Sequence, residues 1–156
     1  MKSTTVVLTP SEMVLAASAG VMRNVKNINA KLKDAYKADP NQGWQMHIEG
    51  ALGEMALAKF LGLYWPGVGK MRGTDVGEVD VRTRSRADYE LILHEKDPDD
   101  RVFWLLCGNN GRYDVKGWIL CADGKRQEYW SDPSGKNRPA FFVPQSKLNP
   151  PDKGEL

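Results

Sequence analysis

At Gly62 the chain changes its periodicity, and that change limits the folds open to it. Upstream, apolar residues recur at intervals of three and four: Met13, Ala16, Ala17, Val21, Val25, Ile28, Leu32 and Ala35 in one run, and Trp44, Ile48, Ala51, Met55 and Ala58 in another. Thr9-Pro10-Ser11-Glu12 joins a capping hydroxyl, a proline suited to a first turn and a nearby glutamate. The pattern predicts one helix from Ser11 to about Tyr36, ended by "ADPNQG", and a second from about Gln42 to Leu61, stopped by Gly62. Downstream the runs are short and alternate with period two or are continuously apolar: "VDVRTR", "YELILHE", "VFWLLCG", "YDVKGWILC" and "AFFVP". Turn-rich segments separate them, so the expectation is α/β of the α+β kind, two N-terminal helices followed by a mostly antiparallel strand meander. Residues 149–156, "NPPDKGEL", read as a surface tail.

A chain of 156 residues, 41% hydrophobic and 27% charged, has the size and proportions of one globular domain, and residues 1–156 are read as such. The net charge of +2 excludes a uniformly basic nucleic-acid binder, so any basic surface must be local. No apolar run approaches the ~18 residues of a membrane span, and "MKSTTVVLTPSEM" lacks the apolar core of a secretory signal. A cytoplasmic protein without membrane attachment is expected. Cys107 and Cys121 match no metal spacing, and pairing through "NNGR" would set Cys107 near Asp114 and Cys121 near Asp100, so both are read as buried thiols.

The most charged stretch is "GTDVGEVDVRTR", Gly73 to Arg84. Strand alternation sends Val79, Val81 and Thr83 to one side and Glu78, Asp80, Arg82 and Arg84 to the other. Asp75 precedes the strand by a short turn, close enough for its carboxylate to approach that of Asp80. Two such carboxylates can hold a hard divalent ion whose bound water attacks a phosphodiester. Cross-strand ion pairs on a solvated face account for the same alternation. In the preceding helix, Glu54 lies on a flank shared with His47 and Gly50. Gly50 and Gly53 each cost about 1 kcal/mol relative to alanine, for which a close approach by another backbone would compensate.

The helix "GxxGExA" at Gly50 to Ala56, an Asp on a turn, "DVR", and two apolar strands of which the second ends "GWI" together resemble the PD-(D/E)xK nuclease superfamily. The resemblance covers residues 42 to 121 and implies a restriction-endonuclease-like central mixed β-sheet flanked by helices. It implies metal ligation by Glu54, Asp75 and Asp80, with magnesium as cofactor and manganese as substitute. Arg82 stands where that family has lysine. Arginine can brace a phosphate but will not release its proton as a general base. The implied activity is deoxyribonuclease cleavage by metal-activated water; the alternative is a catalytically silent DNA-binding or protein-binding module of the same fold. An inhibitory or structural protein carried by a virus, such as a phage, is a third class. A homodimer is an arrangement open to any of these.

Lys70, Arg72, Arg84 and Arg86 would form a basic rim for a DNA backbone, with His47 as a further phosphate contact. Asp114-Val115-Lys116 is a second acid-x-lysine element, read as a strand end entering solvent. His94 is read as a strand-end surface residue and "KDPDDR" as a polar turn. Trp104, Trp118, Trp130, Phe103, Phe141 and Phe142 are assigned to core packing ahead of base stacking.

Overall fold

The computed structural model describes residues 4–30, 42–67 and 73–152. Helix α1 (Pro10–Ala30) and helix α2 (Gly43–Leu61) cover one face of a four-stranded sheet. The strands are β1 (Thr5–Val7), β2 (Val79–Arg84), β4 (Val102–Asn109) and β5 (Arg112–Leu120), in the order β1-β5-β4-β2. The opposite face carries a second sheet of β3 (Leu91–Leu93), β7 (Ala140–Val143) and β6 (Trp130–Ser131), in the order β3-β7-β6. The short helix α3 (Cys121–Gly124) follows β5. The architecture is α+β.

The start of α1 forms as its residues dictate. Thr9 N–H donates to Glu12 Oε1 at 2.7 Å while Glu12 N–H donates to Thr9 Oγ1 at 3.2 Å. Helix α2 ends at Gly62, whose φ of 71° lets its N–H reach the last carbonyls. The β4–β5 hairpin turns at Asn110 and Gly111, both with positive φ, as a two-residue hairpin loop requires.

Strand β4 is buried on both faces, which is why "VFWLLC" shows no alternation. Trp104 and Leu106 join the core under the helices, while Phe103, Leu105 and Cys107 join the core between the sheets. Cys107 faces Asp114 as the hairpin register requires, and both cysteines are free, buried thiols. Burial pushes the Cys121 thiol up to about 11 against the pull of Lys125. A register shift opposite Leu105 and Leu106 leaves Lys116 as an extra residue in β5. Tyr113 and Val115 therefore pack towards the helices, Trp118 does so again beyond the shift, and Ile119 turns to the other core.

Several expectations are corrected. β2 and β4 pair in parallel, because β3 leaves the meander to pair with β7 in the second sheet. β1 was not foreseen: three residues of "TTVV" pair with Arg112–Asp114, and Thr5 Oγ1 donates to Asp114 Oδ1 at 2.7 Å. Asp114 is thus an interior pairing residue of β5 and no solvent-bound strand end. The apolar stripe expected of α1 holds only at its start: Ala16 is buried and Met13 packs on the core, but Val21, Val25 and Ile28 are exposed and Gly20 and Asn24 take the buried face. A Cβ on Gly20 would lie 2.5 Å from Ile48 Cα, so α1 seats its small residues against α2. Trp44, placed in the α2 stripe, is also exposed. The expected extension of α1 to Tyr36 lies outside the described residues. Asn149, the first residue of the segment read as a surface tail, is exposed and pairs with Trp118 through N–H to carbonyl bonds of 2.7 and 3.1 Å. Gly117, in the "GWI" segment, accommodates that crossing: a Cβ there would stand 2.2 Å from Asn149 O.

Candidate functional site

The alternation expected for β2 holds: Val79 and Val81 are buried towards α2, and Asp80, Arg82 and Arg84 point the other way. That other side is covered by the second sheet and its loops. Arg82 lies 4.7 Å over the Phe103 ring, donates through Nε to Ile92 O and pairs through Nη2 with Asp97 Oδ2 at 2.8 Å. Arg84 packs 4.1 Å from the Tyr89 ring and donates to Glu90 O. The charged row therefore bolts β2 to the segment running through β3. Asp80 is buried there.

Asp75 sits at the free edge of β2. Its backbone N–H donates to Asp80 Oδ1 at 3.0 Å, and its Oδ2 accepts the Val81 N–H at 3.0 Å. One residue on, Val76 exchanges backbone hydrogen bonds with Val79, so the segment folds back along the strand. Burial, then the Glu54 charge, push the Asp75 carboxyl up to about 7; Asp80 adds to this, while the Val81 N–H and the Arg82 charge oppose it. Asp75 feels Glu54 from the helix face of the strand and Asp80 from the other. The structure thus gathers the three acids around one strand edge, with β2 itself between Glu54 and Asp80.

Each acid has an internal partner. Arg23 of α1 grips Glu54 with two bonds, Nη1 to Oε2 at 2.7 Å and Nη2 to Oε1 at 2.9 Å, and Trp65 Nε1 donates to Oε1 at 3.2 Å. Burial opposes the Arg23 charge, yet its bonds to Glu54, with the charges of Glu54 and Asp75, hold its pKa above the ordinary value. Asp80 Oδ2 receives Arg101 Nη1 at 3.2 Å, and the same nitrogen reaches Gly73 O. Asp97, expected in a polar turn, is buried, and its Oδ2 accepts both Arg82 and the His94 N–H.

Among the described residues no group of three or more His, Cys, Asp or Glu side chains could hold a metal ion. Both carboxylate oxygens of Glu54 and both of Asp80 accept hydrogen bonds from N–H donors in this arrangement. Of the expected DNA contacts, His47 Nε2 is tied to Asn27 Nδ2 at 2.9 Å between the helices. Arg84 is half-buried, its charge opposed by burial. Arg86 is exposed, 5.2 Å from the Tyr89 ring and 3.4 Å from Asp88. Lys70 and Arg72 lie outside the described residues. Arg23, Arg101 and Asp97 were missed by sequence reasoning, and no local pattern marks them, because they lie 31, 21 and 15 residues from their partners.

Gly53 and Gly50 have different reasons to be glycine. A Cβ on Gly53 would stand 1.9 Å from Thr83 Oγ1, so β2 does come close to α2 there, through a side chain. A Cβ on Gly50 would meet nothing within 4 Å; it opens onto a cleft of about 260 Å³ bordered by Glu49, Glu54, Arg82, Thr83, Arg84 and Asn109, so two of the candidate site residues, Glu54 and Arg82, line it. No helix among the described residues is long and apolar enough to cross a membrane. A scan against family models found no match, and comparison with curated proteins and with solved structures likewise found none.

Proposed function

We propose that this chain is a DNA-binding module of nuclease-like design that does not turn over its ligand. The observation that carries this reading is the pairing of Glu54 with Arg23 and of Asp80 with Arg101, which commits to internal guanidinium groups the oxygens that a catalytic ion would need. Arg82 supports it too, since its Nε and Nη2 are spent on Ile92 O and Asp97. DNA is favoured as ligand by Arg84, which borders the cleft, and by exposed Arg86, both of which lie against the Tyr89 ring. Lys70 and Arg72 add positive charge in the sequence immediately before Gly73. Such a surface reads phosphates and carries little base specificity.

A metal-dependent deoxyribonuclease using Glu54, Asp75 and Asp80 is the second reading. It is favoured by the rise of the Asp75 carboxyl to about 7, set first by burial and then by the charges of Glu54 and Asp80, which a bound cation would offset. It requires Arg101 and Arg23 to move aside.

The test is fluorescence anisotropy of duplex DNA over a range of salt, beside nicking of supercoiled DNA with magnesium or manganese. Binding that weakens with salt, by about one counterion fewer in Arg86→Ala, with no nicking, is the expected result. Nicking that disappears in Asp75→Asn would establish the second reading instead. Absence of binding at low salt would leave a protein partner as the ligand and overturn the proposal.

A further inference from the structure

We infer that α1 carries a surface through which two copies of this chain pair, independently of any ligand bound near β2. The helix buries its small and polar residues, Ala16, Gly20 and Asn24, and turns its large ones outward. Val14, Leu15, Val21, Met22, Val25 and Ile28 are 66, 64, 39, 56, 36 and 57% exposed. Positions 14, 18, 21, 25 and 28 follow each other at intervals of four, three, four and three, the spacing by which one helix lies along another. Ser18, second in that row, is small enough to let a facing helix approach.

The occupant follows from the strip's chemistry and shape. Among the exposed residues of α1, Lys26 alone is charged, so the strip calls for an equally uncharged partner. Beside it runs a mostly apolar groove of about 490 Å³ lined by Leu15, Met22, Met55, Tyr64 and Trp65, with Arg23 and Lys26 at its polar border. A ridge and an adjoining apolar groove on one side of a molecule can complement themselves across a two-fold axis, each copy offering what the other accepts. The six exposed apolar side chains of α1, in ridge and groove together, leave on the order of 600 Å² accessible, and Tyr64, 85% exposed, brings the patch towards the roughly 800 Å² per partner of a stable interface. A lipid surface is a poorer match, because a helix lying on a membrane backs its apolar face with a basic one, and the reverse face of α1 is packed on α2.

The test is sedimentation equilibrium of the full chain up to roughly 200 µM, compared with Val21→Glu and with the double variant Val14→Gln, Ile28→Gln. The wild type is expected to sediment as a dimer, and both variants to raise its dissociation constant at least about 100-fold with unchanged circular dichroism. Val14 and Ile28 are more than half exposed, so the double variant remains informative if Val21→Glu misfolds. A wild type monomeric throughout, a dimer that withstands the double variant, or a monomer that co-sediments with phosphatidylcholine–phosphatidylserine vesicles would overturn the inference.

Discussion

Asp75 holds a proton more tightly in the folded chain than an ordinary aspartate does, because burial and the Glu54 charge act on it together. The sign of the effect on stability follows. Its unfolded carboxyl titrates near ~3.9, so between about 4 and 7 the folded state binds more protons and stability from this group falls as pH rises. Asp75→Asn keeps an oxygen for the Val81 N–H and removes the ionisation. It should therefore gain on the wild type between pH 5 and pH 8 by more than about 1 kcal/mol, since each tenfold change in proton affinity corresponds to about 1.4 kcal/mol. Urea unfolding of both proteins at the two pH values measures this, and an equal response to pH would refute it. Asp75 and Asp80 were legible as neighbours from the short turn before β2, and Glu54 joined them through the resemblance to a nuclease superfamily. Their counter-charges were not legible: only the folded chain brings Arg23 and Arg101 to them.

At the level of elements, β2 and both helices are legible at nearly the right places, since each pattern repeats over several residues. What alternation does not say is which layer the charged side of β2 meets. Arg82 and Arg84 reach carbonyls of Ile92 and Glu90, so charge here fastens one strand to the next segment. The facing of α1 departs from its pattern for a related reason: large apolar side chains are ordinarily the buried ones, whereas close helix contact here selects Ala16 and Gly20. The two glycines of α2 give the prediction at this scale. Gly50→Ala should stabilise by about 0.5–1 kcal/mol, the helix-propensity gain with nothing in its way. Gly53→Ala should destabilise by about 1–3 kcal/mol despite the same gain, because Thr83 must move. Thermal unfolding of the two variants should shift in opposite directions.

Over the whole molecule, β4 and β5 belong to two cores at once, one under the helices and one between the sheets. Neither core can open without exposing strands that the other needs. Leu106→Ala and Leu105→Ala, on opposite faces of β4, should each cost about 2–5 kcal/mol and leave a single transition. Near-ultraviolet and far-ultraviolet circular dichroism should report the same midpoint in each variant; separate midpoints would show that the layers melt independently. The division into two layers is not visible in the sequence, because β3 and β7 lie about fifty residues apart and their pairing is a long-range choice. The fold-back of Asp75 and Val76 along β2 has a further consequence. An outermost strand offers its amides to any extended chain that drifts past, and in a crowded cell such an offer invites fibrous assembly. Here the Val79 and Val81 amides are already taken by the chain itself, so an acid cluster read as a place for chemistry also serves as a seal against unwanted partners.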